Sequence, residues 1–186
     1  MKSKINENRP LAFIVLAVVV VLSVFLSGGG GLRELRDDAL EVFRLGVNGD
    51  GLCVQNDLHQ RADCAVNLAA LSARYAQIPQ ETAVKVEQAA DSLGSAGEDD
   101  TAAMKRANDE LGRAVEALYT ELENAPLSES DASYALSQYK EFTSRGLTIS
   151  RDGYNTVAEE FNRTLGVFPA NVVGMLSGVG QLSLFR

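Results

Sequence analysis

Few side chains of this 186-residue chain have the types and spacing that catalysis or metal binding requires. His59 is the single histidine, and no cluster of His, Cys or carboxylate residues accompanies it. Cys53 and Cys64 are eleven residues apart, which on a continuous helix separates their Cα atoms by about 16 Å, too far for a disulfide. Both are therefore expected to be free thiols. No nucleophile or phosphate-loop motif frames a serine or a lysine, so the sequence predicts no catalytic residues, no metal ligands and no cofactor.

The polar residues with the most informative surroundings lie between Ser150 and Asn171. Steps of four and three residues from Leu147 reach a mostly apolar stripe that consists of Arg151, Tyr154, Ala158, Phe161, Leu165 and Phe168. This alternation predicts the seam of a helix that packs on another helix. Asn155 and Asn162 flank the seam one heptad apart, where polar side chains fix register and partner choice. Pro169 cannot continue a helix, which should therefore end near Val167.

Asp63 and Asn67, in an upstream segment, are the expected partners of this stripe. Because a charge inside an apolar stripe must reach a carboxylate or solvent, Arg151 is predicted to form an ion pair with Asp63. Asn67 is expected to meet Asn155 or Asn162, since buried amides need hydrogen-bond partners. Two interpretations remain open: these residues fix the packing of a bundle, which is the more general role, or they line a ligand site between helices.

Two segments of the sequence carry the pattern of a known family. One has Arg151, the repeated aromatic–Asn pairs Tyr154-Asn155 and Phe161-Asn162, and Phe168-Pro169. The other, LHQRADCAVNL, contains Leu58, Arg61, Asp63, Asn67 and Leu68. Together they resemble the LemA family over roughly residues 32 to 185, and the resemblance implies a membrane-anchored bacterial helical protein with no settled biochemical activity. Lys140 and Ser144 stand where the family usually has an apolar and an acidic residue, so this part of the helix is expected to pack differently.

The periodicity of the chain predicts an all-α fold, an elongated antiparallel bundle of about four long helices. The sequence GVNGDG, Gly46–Gly51, should break or loop the chain after the first helix, because glycine is unfavourable in a helix interior. The predicted helices span Leu32 to Leu45, about Leu52 to Gln77 with a continuation of the same arm over Gln80 to Leu93, Asp100 or Thr101 to Glu123, and Ser128 or Ser130 to Val167.

A membrane anchor is predicted for residues 1–31, ahead of a bundle domain over residues 32–186. Residues 10–31 carry no charge, and as a helix they would be about 33 Å long, enough to cross a hydrocarbon core of about 30 Å. Gly28–Gly31 are expected to form a flexible hinge. A cleaved signal peptide is the alternative, because small residues at Ser27-Gly28-Gly29 follow a basic start.

The charge of the chain and its predicted membrane topology limit the partners that it can have. The formal net charge is −8, and a strongly acidic domain avoids nucleic acid. The expected partners are the lipid bilayer, through residues 10–31, and a protein partner or a second copy along the bundle. Basic residues before the span favour a cytoplasmic N-terminus, hence a single-pass protein of the bacterial inner (cytoplasmic) membrane with an extracytoplasmic bundle. The predicted function is that of a non-enzymatic scaffold or adaptor of the cell envelope; a ligand-sensing domain coupled to a partner protein is the alternative.

The last segment, Ala170 to Phe185, is uncharged and rich in apolar residues. It has three possible places: docked on the bundle, lying on the membrane, or forming a partner surface. Docking is favoured, because large exposed apolar patches are unusual on soluble monomers.

Overall fold

The computed structural model describes residues 9–186, with the side chains of Phe13 and Leu16 alone within residues 9–27. The all-α class predicted from periodicity is confirmed, but the described chain has seven helices rather than about four. They are α1 Arg9–Leu45, α2 Val54–Ser72, α3 Gln80–Ser95, α4 Thr101–Asn124, α5 Glu129–Arg151, α6 Gly153–Gly166 and α7 Ala170–Ser177.

The described residues form two compact units. The smaller comprises residues 9–38 and Glu160–Gln181, and the larger comprises Ala39–Glu159 and Leu182–Arg186. Helices α1 and α6 each contribute residues to both units. The predicted domain boundary at residue 31 lies inside α1.

The expected flexible hinge at Gly28–Gly31 is wrong, because these residues are helical within α1. A Cβ on Gly28 would lie 3.4 Å from Val173 Cγ1, and one on Gly29 would lie 3.2 Å from Ser177 Cβ. The missing side chains let α7 approach α1 closely. Contact with α7 thus offsets the intrinsic cost of glycine in a helix, which is about 1 kcal/mol per residue.

Most side chains of the predicted membrane span, residues 10–31, lie outside those that the structure describes. Its two described side chains, Phe13 and Leu16, are 69% and 58% exposed. Within the part of the chain that the structure describes, no helix is both long enough and apolar enough to cross a membrane. The span at residues 10–31 therefore stays a prediction.

In the larger unit, α2 packs against α3, α4 and α5. The expectation that residues 80–93 extend the same arm as α2 is wrong. Helix α2 ends at Ser72, two successive turns follow through Tyr75 and Ile78, and α3 folds back onto α2. Ile78 is buried in this connection, so the segment before Pro79 forms a packed reversal of the chain.

The predicted long C-terminal helix is interrupted at Asp152, whose backbone is extended (φ −63°, ψ 144°). Asp152 Oδ1 accepts a hydrogen bond from the Tyr154 N–H at 2.8 Å and so caps the start of α6. A Cβ on Gly153 would lie 2.5 Å from Val47 Cγ2, so only glycine fits there without displacement. The Asp-Gly pair, a turn signal, thus divides the expected helix into α5 and α6.

The predicted breaks and caps elsewhere in the larger unit are confirmed. Gly46, Gly49 and Gly51 all have positive φ in the loop after α1, which explains why this loop needs glycine. Asp100 accepts from the Ala103 N–H at 2.8 Å and Ser128 from the Asp131 N–H at 3.1 Å, which caps α4 and α5 as expected.

Candidate functional site

The predicted ion pair between Arg151 and Asp63 is wrong. Both residues are exposed, and no ion pair joins them among the described residues. Helices α2 and α5 are antiparallel, and their interhelical pair is Asp57 with Arg145, at 2.9 Å. Asp63 therefore lies beside the middle of α5, whereas Arg151 is the last residue of that helix.

Asn67 does not meet either predicted asparagine. Its Nδ2 donates to Gln138 Oε1 at 3.1 Å, on the exposed edge between α2 and α5. The predicted partner of Asn67 is wrong for the same reason as the predicted ion pair. The segment of α2 that contains Asn67 packs against α5, whereas Asn155 and Asn162 belong to α6.

Asn155 is buried, as the seam pattern led us to expect, but its partner is the C-terminal segment. Its Oδ1 accepts from the Phe185 N–H at 2.7 Å, while its Nδ2 donates to the Phe185 carbonyl at 3.3 Å and to the Ile149 carbonyl at 2.8 Å. Tyr154 Oη donates to the Ser183 carbonyl at 3.0 Å. Docking of the C-terminal segment is therefore confirmed for Leu182–Arg186, which belong to the larger unit.

The other residues of the C-terminal motif divide by exposure. Phe161 is buried, as predicted, and Glu159 and Glu160 beside it are exposed. Asn162 is half-buried. The predicted stripe is wrong at both ends. Leu147 is 59% exposed and Arg151 is exposed at its start, and Phe168 is 81% exposed at its finish, where Pro169 is exposed as well.

The most chemically distinctive place in the larger unit is a cleft between α4 and α5, of about 660 Å³. Arg61 of α2 reaches into it, although only 7% of this residue is exposed. The guanidinium lies over the Phe142 ring, 3.9 Å from its centroid, and Nη1 donates to the Phe142 carbonyl at 3.3 Å. Stacking and burial together hold this cation in place.

Burial dominates the electrostatics of this cleft. Loss of solvent lowers the pKa of Arg61 to about 10, against the attraction of Asp109, which raises it. Arg61 Nε and Asn108 Oδ1 are buried without a hydrogen-bond partner. Unsatisfied buried polar atoms are rare and each calls for an explanation, so this cleft is the best-supported candidate site of the larger unit.

A helical glycine, Gly146, makes room for Arg61. A Cβ on Gly146 would overlap Arg61 Nη1, whereas one on Gly112 would lie in ordinary contact, 3.7 Å from Nη2. Arg61 belongs to the family pattern, but no site was predicted for it. An isolated glycine inside a helical pattern often has a packing reason, so Gly146 was the signal in the sequence that could have pointed to the cleft.

Gly146→Ala should displace the Arg61 guanidinium and destabilise the protein by about 1–3 kcal/mol, the usual cost of overpacking. Gly94→Ala is the matched control: no atom lies within 4 Å of its Cβ position, and alanine should stabilise α3 by up to about 1 kcal/mol. Urea unfolding followed by circular dichroism measures both. Equal stability of the two variants would show that Arg61 is not wedged against Gly146.

Cys53 and Cys64 are both free and buried, which confirms the predicted thiols. Cys53 caps α2, where its Sγ accepts from the Asn56 N–H and donates to the Arg44 carbonyl. Burial raises the pKa of the Cys64 thiol, and the nearby Glu141 and Asp63 carboxylates add to that effect.

Because both thiols are buried, and because the thiolate is the reactive form and the pKa of Cys64 is raised, iodoacetamide at neutral pH should modify neither cysteine readily in the folded protein. After denaturation without reductant both should react, which mass spectrometry of the intact chain would detect as two added groups. Rapid modification of Cys64 in the folded state would mean that α2 and its neighbours open locally.

These contacts define the larger unit as a helical bundle that has an interhelical cleft and a C-terminal segment bound to it. A family model described as LemA family matches residues 52–186. The chain therefore belongs to the LemA family, as its two motifs indicated. No curated protein and no solved structure matches it. In the described part of the chain, no group of three or more His, Cys, Asp or Glu side chains could hold a metal ion.

Proposed function

We propose that this protein is a non-enzymatic scaffold or adaptor that a single span, residues 10–31, anchors in the bacterial inner membrane. The observation that carries the proposal is the make-up of α1. Its N-terminal part contains the apolar run, with Phe13 and Leu16 exposed, and its C-terminal part supplies Leu40 and Phe43 to a core. Large apolar side chains on an exposed helix need a cover, and a bilayer provides it.

An adaptor also needs a surface for its partner, and α5 offers one. Leu136 and Leu147 are 40% and 59% exposed. A spacing of eleven residues places two side chains on the same face of a helix, so these leucines mark one face of α5. We propose that a partner protein of the cell envelope, or a second copy of the chain, binds along this face on the extracytoplasmic side.

Carbonate extraction and mass spectrometry of the mature N-terminus test the anchor. The protein should stay in the membrane pellet and begin at Met1 or Lys2. A mature chain that begins near Gly30 and is released by carbonate would replace the anchor with a cleaved signal peptide.

Photo-crosslinking in intact membranes tests the adaptor role. A photoreactive amino acid at position 147 should give a defined adduct, whose mass distinguishes a partner protein from a second copy. The matched control is Gln88, exposed on α3, which should give none. An α5 face that forms no adduct would remove the support for binding along it.

The cleft at Arg61 favours the second candidate, a ligand-sensing domain. Arg61 and Arg113 supply positive charge to its lining, and Asp109 and Glu116 supply negative charge. Such a lining complements a small zwitterion such as a dipeptide. Glycylglycine should then raise the melting temperature of the full chain, and Arg113→Ala, at an exposed position, should reduce that shift. No shift at millimolar dipeptide would speak against sensing of this class.

A further inference from the structure

Helix α7 exposes large apolar side chains as well as burying them. Val173 and Gly174 are buried, yet Met175 and Leu176 are 76% and 64% exposed, and the polar Asn171 is exposed as well. No charged residue occurs between Arg163 and Arg186. Because large exposed apolar patches are unusual, Met175 and Leu176 lack the cover that such side chains normally have.

The contacts of α7 within the smaller unit place it beside one short stretch of α1. Val173 and Ser177 lie against Gly28 and Gly29, and Arg33 Nη2 donates to the Ser177 carbonyl at 2.9 Å. This last bond also caps the C-terminal end of α7, where a cation is favourable.

That stretch of α1 is the boundary between apolar and charged sequence. The apolar run ends at Leu26, and Arg33 is the first charged residue after Arg9. Residues 28 to 33 cover about 7.5 Å along the helix axis. Helices that lie in a membrane surface bury their apolar face about 5–10 Å into the boundary between headgroups and acyl chains. The stretch of α1 that α7 contacts is therefore about as long as the depth to which a helix in a membrane surface is buried.

The connection that leads into α7 has the same character. Val167 and Phe168 are 57% and 81% exposed, and both precede Pro169 in the uncharged segment. Four large apolar side chains thus remain uncovered in this part of the smaller unit: Val167, Phe168, Met175 and Leu176.

We infer that α7 and the connection before it lie in the surface of the bilayer that residues 10–31 span, with Met175, Leu176 and Phe168 among the lipid headgroups and upper acyl chains. This inference rests on the proposed anchor. Lipid is the occupant because α7 packs against α1 directly after the apolar run. The segment carries no charge with which to select an anionic lipid, so binding is hydrophobic.

The chain contains no tryptophan, so a single introduced tryptophan reports on its own position. Met175→Trp in the full chain, reconstituted in phosphatidylethanolamine–phosphatidylglycerol vesicles, should emit at shorter wavelength than a tryptophan in water. Lipids brominated in the upper acyl chains should quench that emission if the side chain inserts to interfacial depth, about 5–10 Å. Leu176→Trp is a second variant at an exposed position, and Gln88→Trp is the control that should stay unquenched.

Flotation of the same vesicles measures the anchor separately from α7. Flotation together with quenching at position 175 or 176 supports the inference. Flotation with water-like, unquenched emission at both positions overturns it and leaves the anchor intact. Blue-shifted emission without quenching also overturns it, because a protein surface would then cover α7. Failure to float refutes the anchor itself.

Discussion

Arg145→Met should destabilise the larger unit by about 3 kcal/mol, because it strands the carboxylate of Asp57, a residue only 5% exposed. The Arg145 guanidinium lies 2.9 Å from Asp57 and 2.7 Å from Glu141. These hydrogen bonds raise the pKa of Arg145. Its side chain is 31% exposed, which places the expected loss at the low end of the range for a buried pair. Urea unfolding of the full chain measures the effect.

A double-mutant cycle separates the pair from its surroundings. Asp57→Leu combined with Arg145→Met should recover much of the loss, since no buried charge then remains unpaired. Arg151→Met is the matched control, at an exposed arginine of the same helix, and should change stability by no more than about 0.5 kcal/mol. Additive effects at positions 57 and 145 would show that the two residues are not coupled.

The sequence predicted burial along single helices well, because burial leaves a local record in side-chain periodicity. Along α4, apolar residues recur at steps of three and four and are buried: Met104, Ala107, Leu111, Val115, Leu118 and Leu122. The C-terminal stripe holds through α6, where Tyr154, Ala158, Phe161 and Leu165 are all buried.

Pairing between helices could not be predicted in the same way, because it depends on register and not on period. Asp63 was the predicted ion-pair partner of Arg151, whereas in the structure Asp57 pairs with Arg145. Both members of the predicted pair are displaced by six residues from the observed pair, which is about 1.7 helical turns. The break at Asp152 adds to the error, since it places Arg151 and Tyr154 on different helices.

Arg61 shows the same limit at the candidate site. Its own helix gives no sign that a guanidinium is buried there. The space that its guanidinium occupies depends on Gly146 of α5, which is distant in sequence. Likewise, Gly28–Gly31 resemble a linker by composition, and the sequence gives no sign that they are helical or that α7 lies against Gly28 and Gly29.

The aromatic cluster around Tyr154 should make the largest single contribution to the stability of the larger unit. Tyr154 is fully buried, and its ring centroid lies 5.1 Å from that of Phe43 and 6.1 Å from that of Phe185. Its hydroxyl donates to the Ser183 carbonyl. The ring thus joins α1, α6 and the C-terminal segment within one core.

Tyr154→Ala should cost about 3–5 kcal/mol, as for other large aromatic truncations in a core, and should release the C-terminal segment to carboxypeptidase. Tyr154→Phe keeps the ring and loses one hydrogen bond, which should cost about 1 kcal/mol. Tyr134→Ala, at a tyrosine of α5 that is 42% exposed, is the control and should be close to neutral. If Tyr154→Ala were no more destabilising than Tyr134→Ala, and the C-terminus stayed protected, the C-terminal segment would be held without the aromatic cluster. Docking would then depend on the remaining hydrogen bonds of the segment, which join Asn155 to Phe185, Thr101 to Ser183 and Glu159 to Arg186.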